Sequence, residues 1–172
     1  MNSSLICSSL KKLLLPFCLL ICSIVSYIPA FAQEQPPRPI TVTVSTLQHL
    51  SFGTFIQSGA SGTVTVDYTG SRTATGSVIL PGMFSIVTPA LFQVTALPGT
   101  LITIVNGTSA TLTGSNGGSL ILNLGQSNTG SPFITTGSST DVFIGGTLTV
   151  GPTGANPAGI YNGTFSVTFI QQ

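Results

Sequence analysis

The sequence predicts an all-β chain of two packed antiparallel sheets, and three observations lead there. Short runs of alternating apolar and hydroxyl residues recur from Ile40 to Ile170, clusters of Gly, Pro, Asn or Ser separate nearly all of them, and no window carries a convincing helical repeat. Side chains in a strand alternate between its two faces, so each run offers one apolar face to a core and one polar face to water. For many short strands with no helices between them, an immunoglobulin-like or Greek-key β-sandwich is the commonest solution. A small barrel or a short β-solenoid is the alternative, though no strict repeat supports the solenoid.

The first 32 residues stand outside that fold. Lys11 and Lys12 precede an uncharged run from Leu13 to Ile28, which ends in Pro29-Ala30-Phe31-Ala32. This is the layout of a secretory signal peptide, with cleavage expected before Gln33. An uncleaved anchor helix is the competing reading. The run is shorter than the roughly 20 residues a spanning helix needs, and Pro16 and Pro29 restrict it further, so no stable membrane insertion is expected after cleavage.

Removing this leader also removes Cys7, Cys18 and Cys22, so the exported chain has no means of forming a disulfide. Of 172 residues 140 remain, and Arg38 and Arg72 oppose Glu34, Asp67 and Asp141 for a net charge of −1. A charge this small with no basic cluster argues against nucleic acid as a partner. It also gives little attraction to anionic lipid. A chain of this length suits one core, and its wealth of Val, Ile, Leu, Phe and Thr is unlike the composition of disorder. The polar surface must be built from hydroxyls and amides, and such a surface repels its own copies only weakly.

Residues 33–39 read QEQPPRP, a Pro-rich tether that opposes both helix and central strand. From there a single β-sandwich domain is expected over residues 40–172. Its first run alternates Ile40, Val42 and Val44 with Thr41, Thr43 and Ser45. Further strand candidates are 52–56, 63–66, 73–80, 92–96, 101–105, 110–113, 120–124, 141–144, 147–150 and 164–170. Two Asn-Gly pairs, Asn106-Gly107 and Asn162-Gly163, are candidate turns, because both residue types tolerate positive φ. For Asn162-Gly163 a bulge leading into the last strand is an equal reading. Each pair is followed by Thr and so fits the N-glycan acceptor pattern, but the turn alone accounts for the residues.

Catalytic chemistry is thinly represented. His49 is the lone histidine, in TLQHLSFG, and the exported chain has no Cys and three carboxylate side chains to join it. A metal centre generally wants three or four ligands, and a serine nucleophile needs a base and a defined elbow. Asp67 and Asp141 are isolated in sequence, so a glycosidase pair has no support, and Asp67 before Tyr68-Thr69-Gly70 reads as a turn acceptor. No catalytic residue, metal site or cofactor is expected, and the chain is not read as an enzyme. Most of the aromatics are Phe within alternating runs and there is no Trp, which favours core packing over sugar stacking.

Four stretches carry a family resemblance: LSFGTF at Leu50–Phe55, GTVTVDYTGSRTATGSV at Gly62–Val78, TLTV at Thr147–Val150 and AGIYNGTFSVTF at Ala158–Phe169. In this order they resemble the secreted bacterial family catalogued as domain of unknown function 4402. Ser77 and Ile160 depart from its usual pattern. The resemblance implies export and architecture but no reaction. The SFG motif and the YxGTFxVTF ending are also distantly similar to the archaic pilins of chaperone-usher systems and to spore-coat U proteins. That similarity implies a pilin-like sandwich in which an N-terminal strand completes a neighbour. Here Ile40, Val42 and Val44 form the candidate assembly strand, unless residues 40–44 are the first strand of their own sandwich.

The expected role is a non-enzymatic structural or assembly module of the bacterial cell surface, a pilin-like or matrix subunit found in the periplasm, at the surface or outside the cell. Copies of itself, other surface subunits or a periplasmic chaperone are the expected partners. A monomeric adhesion or glycan-binding module is the alternative.

Overall fold

A computed structural model describes residues 41–44, 48–82 and 85–172. The expected signal peptide, the tether and Ile40 lie outside the described residues. Among those described, the regular elements are all strands, and no helix is long and apolar enough to cross a membrane. The strands are β1 (Thr41–Val44), β2 (Ile56–Val66), β3 (Arg72–Ile79), β4 (Ala90–Thr95), β5 (Leu101–Asn106), β6 (Ala110–Gly114), β7 (Ser119–Ser127), β8 (Phe133–Ile134), β9 (Ser139–Val150), β10 (Tyr161–Asn162) and β11 (Val167–Gln171). They form two antiparallel sheets. The larger runs β1-β4-β9-β7-β6-β10, with β2 also on β9 and β3 on β2, and the smaller runs β11-β5-β8. The result is the expected two-sheet β-sandwich of immunoglobulin-like character.

β9 organises the larger sheet. Along one edge it pairs with β7, and along the other it pairs first with β4 over Ser139–Ile144 and then with β2 over Gly146–Val150. The two candidate runs 141–144 and 147–150 are therefore one strand, joined through Gly145-Gly146. A Cβ on Gly145 would stand 2.1 Å from the Val66 carbonyl oxygen and 2.7 Å from the Asp67 carbonyl carbon. The absence of a side chain lets the end of β2 pass close to β9 where the partner changes.

Alternation produces the core as the sequence reading anticipates. Val142, Ile144, Leu148 and Val150 of β9 face inward at 0–2% exposure, while Asp141, Thr147 and Thr149 face outward or are half-buried. Burying such a side chain stabilises by roughly 1.5–3 kcal/mol. On the outer face, Thr63 meets Thr75 and Thr65 meets Thr147 at hydroxyl distances of 2.7 and 2.9 Å. Cross-strand hydroxyl pairs thus supply the polar surface that this charge-poor chain otherwise lacks.

The interior divides into two clusters. One gathers Phe92, Val94, Ile102, Phe133, Val142 and Ile144 between the two sheets, with the Phe92 and Phe169 rings 5.6 Å apart. The other gathers Phe52, Val64, Val66, Val78, Leu120, Leu122, Leu148 and Val150 on the inner face of β2, β3, β7 and β9. Leu50, Leu124 and Phe165 pack against both. Strands of the small sheet cover the first of these clusters; loop residues cover the second.

The β2–β3 hairpin turns on Asp67. Its Oδ1 accepts from Thr69 Oγ1 at 2.6 Å, Thr69 N at 2.8 Å and Ser71 N at 2.9 Å. The Thr69 hydroxyl and these main-chain N–H groups stabilise the ionised form and hold the carboxyl below its ordinary value of 3.8. A depressed folded pKa contributes stability above the unfolded pKa, and that contribution is lost as pH falls through the folded one.

Two predictions follow from this packing. Gly145→Ala lowers unfolding stability by roughly 1–3 kcal/mol in a urea titration, because the methyl meets main chain. Gly82→Ala, which meets no atom within 4 Å among the described residues, stays within about 0.5 kcal/mol, and equal effects would contradict the fork. In an NMR titration Asp67 has its midpoint below 3.8, and Thr69→Val raises that midpoint; no change would contradict the hydroxyl as the main cause.

Candidate assembly cleft

Where the small sheet stops, the second cluster borders an open cleft of ≈ 1360 Å³. Its floor is Leu112 of β6, Leu120 and Leu122 of β7, and Leu148 and Val150 of β9. One rim is the segment 48–57 and the other is 156–165. Small-molecule pockets occupy roughly 300–1,000 Å³, so this volume suits a longer guest. Among the described residues, no Lys, Arg, Asp or Glu lines it. At its mouth Ile56, Ile86 and Ile160 are 51%, 78% and 70% exposed. Exposed apolar groups gathered around a groove mark an interaction surface.

Neither rim is built into a ladder over its whole length. Residues 52–55 precede β2, and residues 163–166 run between β10 and β11. β11 is an end strand of the small sheet, so a further strand beside it would carry that sheet onward along the cleft, where loop residues now cover the second cluster.

Side chains hold both rims. On the near rim, Arg72 Nη1 donates to the Phe52 and Thr54 carbonyls, both at 2.9 Å. Gly53 between them has φ +64°, a left-handed conformation, and a Cβ there would collide with Ser85 Oγ. The sequence predicts a strand over residues 52–56; the structure starts β2 at Ile56, because Gly53 and Arg72 turn the preceding chain out of the ladder. On the far rim, Tyr161 Oη donates to the Pro157 carbonyl at 2.6 Å, and Asn156 Nδ2 donates to the Ser119 carbonyl at 2.6 Å.

The residues singled out from sequence fall in several places. Val42 and Val44 lie in β1, opposite Val94 and Phe92 of β4 in their own sheet, not in the cleft. Asn106 ends β5 and donates from Nδ2 to the Gly125 carbonyl at 2.8 Å, while Gly107 N donates to the Ser166 carbonyl at 2.9 Å. Asn162 pairs with Thr113 in β10, and Gly163 begins the open part of the far rim. Both Asn-Gly pairs stand where the chain passes from one sheet to the other: β5 to β6, and β10 to β11. His49 is exposed on the near rim, its carbonyl accepting from Thr88 Oγ1 at 2.6 Å. Among the described residues, no three His, Cys, Asp or Glu side chains gather as a metal would require. Asp141 lies across from Gln93, whose Nε2 is 3.4 Å from its Oδ1, while Asp67 sits in the β2–β3 turn.

A smaller hollow of ≈ 350 Å³ is lined by Ile104, Asn106, Gly125, Gln126, Ser127, Gly130 and Ser131. Asn106 and Ser131 already spend their side chains on the main chain there. Sequence reasoning missed the cleft and the part played by Arg72. A signal for Arg72 existed, since it and Arg38 are the two Lys or Arg residues beyond the expected leader.

If the mouth is an apolar docking surface, Ile86→Ser with Ile160→Ser reduces binding of an apolar fluorescent dye several-fold. The melting temperature changes little, because both side chains are mostly exposed. Undiminished dye binding would contradict the assignment.

The four stretches that carry the family resemblance frame this region: Leu50–Phe55 is the near rim, Gly62–Val78 holds β2, β3 and Arg72, Thr147–Val150 is floor, and Ala158–Phe169 is the far rim with the start of β11. No curated protein and no solved structure is similar to the chain. The model of one family, Domain of unknown function (DUF4402), matches residues 42–170, and the chain belongs to that family.

Proposed function

We propose that this protein is a non-enzymatic, secreted structural module of the bacterial cell surface, whose copies join when a strand of one enters the cleft of the next. The observation that carries the reading is the unequal sandwich: an apolar floor without charged side chains, rim segments 52–55 and 163–166 that stand outside the ladders, and an end strand of the small sheet whose second edge is unpaired among the described residues. An added strand gains main-chain hydrogen bonds from the edge and places alternate side chains on the floor.

The guest is residues 40–44 of a second copy. Ile40, Val42 and Val44 share one face of an extended chain, which matches an apolar floor, and the run carries no charge to strand in the cleft. Within its own chain β1 holds β4 by four residue pairs at a sheet edge. Exchange of so short an edge strand between identical copies is a low-cost route to assembly. A periplasmic chaperone that occupies the cleft before assembly fits the same geometry.

The test is the oligomeric state of the processed protein across a concentration series. Non-covalent oligomers are expected, and deleting residues 38–47 abolishes them while the fold persists. A protein that stays monomeric at high concentration would overturn the reading. Retention on a glycan array by that monomer would favour an adhesion module in its place.

A further inference from the structure

We propose that Arg72 is the positioning residue of the cleft, a latch that sets its near rim before a strand arrives; this rests on the cleft being the strand acceptor. Arg72 opens β3 and is half-buried. Besides the Phe52 and Thr54 carbonyls, its Nη1 reaches Ser85 Oγ at 3.4 Å and its Nη2 reaches the Pro81 carbonyl at 3.4 Å. All four acceptors are neutral oxygens. The charge of this guanidinium is spent on gathering main chain from two loops, in place of an ion pair.

Residues 52–55 of that rim have no ladder of their own, so Arg72 stands in for one. The left-handed Gly53 between them turns the Phe52 and Thr54 carbonyls toward one point, where Nη1, with its two N–H groups, donates to both. Holding the Phe52 and Thr54 carbonyls together fixes the pitch of the rim and leaves Phe52 in the core at 7% exposure, with Phe55 packed against the same cluster. Thr54 N donates to Ser85 Oγ, which ties the same rim a second time. A site held in its bound shape does not have to be ordered when the guest arrives, so the latch acts on affinity. Lysine supplies the charge but not the second nitrogen that reaches the Pro81 carbonyl from the other loop, and only part of the effect survives its substitution.

The experiment compares the processed chain with its Arg72→Lys, Arg72→Met and Val142→Ala variants. Each is titrated with a fluorescent peptide of residues 38–47 and melted in parallel, and amide exchange is followed at Thr54. Val142 belongs to the other core cluster and does not line the cleft, so its variant loses stability while the Arg72 contacts stay in place. Arg72→Met is expected to raise the peptide Kd roughly tenfold or more and to lose protection at Thr54. Arg72→Lys falls between it and the parent, and Val142→Ala binds as the parent does. The proposal is overturned if Arg72→Met binds like the parent, or if Val142→Ala weakens binding as much for the same melting loss. If Arg72→Met does not fold, Arg72→Lys decides: an unchanged Kd overturns the latch. If the parent itself neither binds the peptide nor oligomerises, the acceptor reading falls, and exchange at Thr54 then judges the latch alone.

Discussion

The burial of one face of β9 is the constraint on which the rest of this structure depends. Val142, Ile144, Leu148 and Val150 join both core clusters to a single strand, and β2, β4 and β7 all take their register from it. The three cysteines of the chain lie within its first 22 residues, so no disulfide can form within the sandwich. A one-residue slip of β9 would place Asp141, Phe143, Thr147 and Thr149 inside, and both clusters would fail together. The fork at Gly145 adds a second demand on the same strand, since two partners must share one edge.

That arrangement leaves the sandwich unequal. The larger sheet extends past the smaller one, and loops rather than strands lie over the second cluster. Arg72, Gly53 and Ser85 shape one rim, Asn156 and Tyr161 the other, and a cleft with an apolar floor results. The outer face is closed by paired threonine hydroxyls instead of charges. A surface of this kind offers neighbours little repulsion. Both features are the ones on which the proposed joining of copies rests.

The fold was legible because period-two burial is a local property. Leu120 and Leu122 against Ile121 and Asn123, or Phe92 and Val94 against Gln93 and Thr95, announce a face in a few residues. The merger of 141–144 with 147–150 was not legible, because a glycine pair between strands reads as a turn until a close neighbour is seen. Both Asn-Gly pairs likewise stand at crossings between sheets, and only the pairing of distant strands separates a crossing from a hairpin. The cleft was hidden for the same reason: Leu112, Leu148, Ile86 and Ile160 are far apart in sequence. Arg72 was visible as a rare charge, but the carbonyls it holds lie about 20 residues before it, and neutral acceptors leave no mark in composition.

The central claim, that the cleft receives residues 40–44 of another copy, is tested most directly by mixing two processed proteins, one carrying Val42→Cys and the other Thr164→Cys, under oxidising conditions. Beyond the expected leader the sequence has no other cysteine, so a mixed disulfide reports that contact alone. The account predicts a cross-linked pair that forms faster than either protein links to itself. Two populations that remain unlinked, or that link only to themselves, would contradict it.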